Sequence, residues 1–225
     1  MSRGVYVTGT DTGVGKTVAS TALLRALAAR GELAAGLKPV ASGCERIDGA
    51  WRNEDALALI AASGVRLDYA SHNPWALPAA TAPQLAARDA GVAVAPAPIV
   101  EAYRRLADRA GIVVVEGVGG WAAPLADGFE QADLARALAL PVVLVVGLRL
   151  GCLSHARLTA RAIEADGCRL AGWIGNAADA VFDRRDDYLQ LLRDALPAPC
   201  LGVLPHVPEG SADRLGEHLQ LGALP

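Results

Sequence analysis

Two lysines stand in a chain whose other cationic side chains, out of 21 Lys and Arg, are all arginine. Lysine carries a compact point charge and arginine a planar fork, so the two do different work. Lys16 closes the stretch VTGTDTGVGKT (7–17), and Lys38 lies in GLKPVASG (36–43). The first stretch ends as a phosphate-binding loop does, in Gly-Lys-Thr. The commonest such loop reads G-x-x-x-x-G-K-[ST]. Here Thr10 occupies the place of its first glycine, and Gly9 comes one residue early. Gly13 still allows a tight bend. The backbone N–H groups of Gly13, Val14, Gly15, Lys16 and Thr17 can then ring a phosphate at a helix start, with Val18 next along the chain. Lys16 can reach the β- and γ-oxygens, and the Thr17 hydroxyl can ligate Mg²⁺. The competing reading is a plain strand-to-helix turn.

Other candidates recur at the ends of predicted strands. Glu116 closes IVVVE and is followed by Gly117, Val118, Gly119 and Gly120. An acid in that place can hold Mg²⁺, and glycines after it permit close approach of a ligand. Asp55, in RNEDALAL, by itself reads as first-turn acidity complementing a helix dipole. In the company of Thr17 and Glu116 it becomes a third metal ligand. Lys38 ends a strand, and Ser42 and Gly43 after it offer further donors. VGLRLGCLSHA (146–156) repeats the order strand, glycine, helix. Its helix start, Gly151, Cys152 and Ser154, can cap an anion; N-capping by Ser154 is the alternative. Asn176 closes LAGWIGN, where its amide can read a base edge or make a turn.

The elements that must position these residues alternate. Strands are expected over 4–9, 33–40, 112–120 (running into a glycine turn), 141–148, 170–176 and 200–205. Helices are expected over 17–31, 53–64, 83–90, 99–111, 131–140, 154–167 and 184–196. Residues 74–98 hold five of the 13 prolines and read mostly as loop. Unalternating apolar strands are covered on both faces. The expectation is therefore an α/β fold, a doubly wound parallel sheet of the P-loop type, as one domain over 1–225. Ligands of such sheets sit at the carboxyl ends of the strands.

Composition bounds the remaining classes. A net charge of −3 leaves no basic footprint for nucleic acid. The four cysteines make no C-x-x-C pair, which argues against zinc clusters and dithiol redox chemistry. No apolar run is long enough to span a membrane, and the first residues enter a strand without a secretory core. A cytoplasmic protein with free thiols is expected.

With these motifs together, the chain resembles the ATP-dependent dethiobiotin synthetases, over nearly its whole length. The segments that carry the resemblance are VTGTDTGVGKTVAS, GLKPVASG, NEDALAL, VEGVGGWAAPL, LPVVLVVGLRLGCLSHA and LAGWIGN. The resemblance implies a ligase that joins CO₂ to 7,8-diaminopelargonic acid at the expense of ATP. A carbamate forms on one amine and attacks the γ-phosphate. The mixed carbamic–phosphoric anhydride then closes onto the second amine, giving the cyclic urea, ADP and phosphate. By the same resemblance Thr17, Asp55 and Glu116 hold Mg²⁺, and Lys16 binds phosphates. Lys38 faces carbamate and γ-phosphate together, and Thr12 and Ser42 touch the substrate. Asn176, with Pro205, His206 and Val207, lines the adenine pocket. A homodimer with the substrate at its interface is implied; the backbone donors and dipole of the helix start Gly151 to Ser154, with Tyr188, are then expected to bind the substrate carboxylate from the partner subunit.

Gly13 and Ser154 depart from the family, where Glu and Asn are expected. The tail beyond Pro208 matches poorly, leaving Glu209 as no more than a ribose contact. The rival readings are a switch ATPase of the partitioning type and a carboxylate-activating amidotransferase of cobalamin synthesis. The first would carry a lysine in place of Thr10, and the second needs an ammonia source.

Overall fold

A computed structural model describes residues 3–177, 181–206, 212–222 and 224. In chain order, β1 (Arg3–Gly9) leads to α1 (Lys16–Ala29), β2 (Ala34–Leu37), β3 (Val40–Ser42), β4 (Glu45–Ile47), β5 (Ala50–Arg52) and α2 (Glu54–Ala62). Next come α3 (Tyr69–His72), β6 (Trp75–Leu77), α4 (Pro83–Asp89), α5 (Pro96–Ala107), β7 (Ile112–Glu116), β8 (Pro124–Ala126) and β9 (Phe129–Glu130). The rest are α6 (Gln131–Leu138), β10 (Val142–Gly147), α7 (Cys152–Ala165), β11 (Leu170–Asn176), α8 (Arg185–Ala195), β12 (Cys200–Leu204) and a 3₁₀ segment, Ala212–His218.

Six strands form one parallel sheet in the order β12-β11-β10-β1-β7-β2. Side chains alternate across it. Val5 and Val7 of β1, Ile112 and Val114 of β7, and Val143 and Val145 of β10 meet α1, α2 and the 3₁₀ segment. Tyr6, Val113, Val115 and Val142 meet α5 and α6 on the other face. Leu144, Val146 and Trp173 continue that second face under α7 and α8. Double winding thus follows from strands whose central residues are apolar on both faces. The chain extends to β2 and β7 on one side of β1 and to β10, β11 and β12 on the other, so strand order reverses at β1. That is where a doubly wound sheet opens a crevice for ligand.

The structure corrects the expected strand over 33–40. β2 stops at Leu37, and β3 pairs instead with β6 in a separate ribbon. Pro39 has no N–H for a ladder, and the Lys38 N–H turns to His72 O at 2.8 Å. Two hairpins, β4–β5 and β8–β9, and the 3₁₀ segment lie where no element is expected. Helix α5 starts at Pro96, where the missing N–H costs nothing in a first turn. Helix α7 starts at Cys152 behind a left-handed Gly151, so Ser154 lies inside the helix and caps nothing.

Candidate active site

Gly9, Glu116, Gly147 and Asn176 come to one edge of the sheet, because Val7 is in register with Glu116, Gly9 with Val145, and Gly147 with Asn176. The loop after β1 lies over that edge. It turns at Gly13 (φ 74°), around which a side chain would meet nothing within 4 Å, and again at Gly15 (φ 88°). Gly15 caps α1 without a side-chain acceptor, leaving the dipole end of the helix at the mouth of the loop. A methyl group at Gly15 would stand 2.0 Å from the Asn176 amide nitrogen, which donates to Val14 O at 3.0 Å. Asn176 therefore braces the loop from the neighbouring strand end. Asp11 organises the near side. It accepts from Thr12 N–H at 2.7 Å and pairs with Arg149 at 2.8 Å, and its carbonyl accepts from the Lys16 ammonium at 3.0 Å. Burial, with Lys38 nearby, lowers the Lys16 pKa to about 8.

Below the loop lies a buried cluster of charge. The Thr17 hydroxyl lies 2.7 Å from Asp55 Oδ1 and 2.9 Å from Glu116 Oε1. The Lys38 ammonium donates to Glu116 Oε1 at 2.6 Å, Asp55 Oδ2 at 2.9 Å and Gly117 O at 3.3 Å, spending all three of its protons on the protein. Lys38 is 2 % exposed and Glu116 fully buried. Burial opposes charge on Lys38, but Glu116 and Asp55 outweigh it and hold its pKa above the usual lysine value. Burial likewise works against the Asp55 carboxylate, and Lys38 and Thr17 reverse that, lowering its pKa. Glu116 Oε2 is buried without a hydrogen-bond partner. In a charged group that is a costly state unless something else approaches it.

The structure thus brings Lys16, Thr17, Lys38, Asp55 and Glu116 together from four segments. Gly117 joins through its carbonyl. Gly119 (φ 68°) turns in the left-handed region, and a Cβ there would crowd the Ala123 methyl at 3.0 Å. The Val118 carbonyl is held by the Gln131 amide, which Tyr6 braces in turn. Val18 packs partly into the core beneath α1. Ser42 lies at the rim, its carbonyl taken by Asn53 at 3.4 Å. Pro205 and His206 follow Leu204, which is in register with Asn176; Val207 and Glu209 lie outside the described residues. Gly151, Cys152 and Ser154 lie at the start of α7, and Tyr188 lies on α8. Cys152 is buried in the core under α7 and α8, with Tyr188 against it, and the Cys152 N–H is already bonded to Arg149 O at 3.1 Å. The sequence reading passed over Asn53, Tyr69 and Asn73. Asn53 carried a legible signal, an N-cap residue ahead of an acidic first turn. Tyr69 and Asn73 carried none.

A parallel doubly wound sheet with a glycine-lysine-threonine loop at its switch point, and carboxylates at the adjoining strand ends, defines a P-loop nucleotide-binding protein. The fold is shared at low identity with chloroplast FtsY from Physcomitrella patens (TM-score 0.58, 16 % identity, 99 % of this chain and 63 % of that one). It is shared too with a ParA family ATPase from Chlorobium tepidum (TM-score 0.57, 12 % identity, 97 % and 91 %). A family model described as AAA domain matches residues 3–214. The ATP-dependent dethiobiotin synthetase BioD of Xanthomonas campestris pv. campestris is 58 % identical over 96 % of both chains. That of Xylella fastidiosa is 58 % identical over 91 % of both. The chain belongs to the ATP-dependent dethiobiotin synthetase family. The resemblance to partitioning ATPases is one of fold alone, and that rival reading is not favoured.

Proposed function

We propose that this chain carries out the dethiobiotin synthetase reaction at the Lys16–Thr17–Lys38–Asp55–Glu116 cluster. Diaminopelargonic acid takes up CO₂ at one amine, losing a proton to form a carbamate. The carbamate oxygen attacks the γ-phosphorus, and the β–γ bond breaks to release ADP. The second amine then attacks the carbamoyl carbon, phosphate departs with the C–O bond, and the ring closes as a urea. The observation that carries the reading is Lys38, an ammonium buried at a strand end beside the phosphate loop, in a chain with one other lysine. Two anions must meet in this reaction, and cations aimed at their shared oxygens are what such a transition state needs.

The backbone of Gly13 to Thr17 and the Lys16 ammonium would bind the phosphates, with Asn176, Pro205 and His206 beside the base. Thr12 and Ser42 would touch the diamine. Two carboxylates and a hydroxyl are hard oxygen donors suited to Mg²⁺. The unpartnered Glu116 Oε2 fits a cation at Thr17, Asp55 and Glu116. Bound there, Mg²⁺ would offset charge on the β- and γ-oxygens.

The active unit in this proposal is a homodimer. Two exposed leucines support it: Leu150 (80 % exposed), just before α7, and Leu158, on α7. A cytoplasmic setting is supported by four cysteines free of disulfides. Incubation with ATP, Mg²⁺, bicarbonate and diaminopelargonic acid tests the whole reading. Dethiobiotin and ADP should appear together. ATP hydrolysis indifferent to the diamine, with no ureido product, would sink it.

A further inference from the structure

Lys38 and Asp55 reach the cluster from two segments that share no sheet. β2 has ended at Leu37, and Pro39 cannot extend a ladder, so the Lys38 carbonyl has no strand neighbour. A buried polar chain takes its place. Asn73 Nδ2 donates to Lys38 O at 2.7 Å. Asn73 Oδ1 accepts from the Tyr69 hydroxyl at 2.8 Å, and that hydroxyl accepts from Asn53 N–H at 2.8 Å. Asn53 Oδ1 caps α2 through Asp55 N–H at 3.1 Å and Ala56 N–H at 3.3 Å, and its amide reaches Ser42 O at 3.4 Å. Asn53 and Asn73 are buried, and the Arg52 guanidinium lies 4.1 Å over the Tyr69 ring, covering it. The backbones of Lys38, Ser42 and Asp55 are therefore tied to one another through three side chains. The Tyr69 hydroxyl joins the half of this polar chain that holds the Lys38 carbonyl to the half that caps α2 at Asp55.

We propose that Tyr69, acting with Asn53 and Asn73, is a positioning residue that sets Lys38 at its working distance from Asp55. This rests on the reading of Lys38 given above. An apolar contact between α3 and α2 would fill the space, but it would not fix one backbone against the other. A fully satisfied polar chain does. Misplacing a catalytic group by about 1 Å is enough to cost up to roughly a hundredfold in rate.

The test is Tyr69→Phe, which removes one oxygen and keeps the ring. Its kcat for dethiobiotin should fall about tenfold or more, while KM for ATP, set by the separately braced phosphate loop, should move less than about twofold. Asn73→Ala should show the same split, and the double variant should be little worse than the poorer single, because both break one chain. Ile163→Val, on the buried face of α7, serves as a mildly destabilised control and should keep its kcat. An unchanged kcat in Tyr69→Phe overturns the proposal. So does a loss that Ile163→Val shares at equal loss of Tm, and so do fully additive singles. Lys38→Ala separates the two levels of inference. If it retains full turnover, the Lys38 reading itself fails. If it is inactive while Tyr69→Phe is not impaired, only the positioning role is lost.

Discussion

At the scale of single residues, the two lysines make different demands on the same negative charge. Lys16 rests on a backbone carbonyl, a weak partner that a phosphate displaces readily. Lys16→Gln should weaken ATP binding and turnover together, since a charged hydrogen bond is worth roughly 1.5–3 kcal/mol. ATP affinity measured by calorimetry and rate measured by product should fall in step. Lys38 is held more firmly, because it neutralises two carboxylates that the proposed metal would also neutralise. In the absence of nucleotide, lysine and the proposed metal would therefore compete for them. Lys38→Met should raise the nucleotide-free affinity for Mn²⁺ by about tenfold or more, since it removes a positive charge within a few ångströms of the ion's site. The check is free Mn²⁺ measured by electron paramagnetic resonance at one fixed pH in both proteins. Equal affinity in the two proteins would mean that Lys38 and the metal do not share those oxygens.

At the scale of elements, the segment from β3 to β6 lies outside the main sheet, and buried side chains help to tie it there. His72 is one of these ties. It is fully buried, with Nδ1 2.7 Å from Gly36 O and Nε2 accepting from Leu67 N–H at 3.2 Å. A carbonyl can only accept, so the proton is on Nδ1 and the ring is neutral. Burial lowers its pKa below 6.5, outweighing the Gly36 bond and Asp68. The unfolded chain therefore binds this proton more readily than the folded one. The contribution of His72 to stability is full above about pH 6.5 and shrinks as pH falls through its lower folded pKa. Melting temperatures of wild type and His72→Gln at pH 8 and pH 5 should show a smaller drop in the variant. Parallel drops would mean that His72 does not titrate on unfolding in this range.

At the scale of the whole molecule, the proposed dimer can be tested without a structure of it. An extended diamino acid with its amines at Lys38 has its carboxylate far from the phosphate loop. The start of α7, with Tyr188, is proposed to serve the partner's substrate. Lys16→Gln mixed with Cys152→Asp, each weak alone, should then form heterodimers in which one site carries both defects and the other neither. Activity should rise toward half of wild type. Heterodimers that form and stay inactive would place both functions on one chain.

What the sequence determined by itself was local in character. The Gly-Lys-Thr loop, the apolar strands ending in Glu116 and Asn176, and the starts of α4 and α6 were legible, because phosphate loops and buried strands need particular residues at consecutive positions. The parallel doubly wound sheet followed from the same run of strands and helices. The tertiary structure decided what depends on partners distant in sequence. It ended β2 at Leu37, because Pro39 cannot pair and His72 supplies the acceptor. It turned Asn176 onto Val14, across 162 residues. It set Lys38 between Asp55 and Glu116, and joined Asn53, Tyr69 and Asn73 into one chain. No pattern of neighbouring residues encodes such ties, because a hydrogen bond between side chains specifies a distance in space and leaves the separation along the chain free.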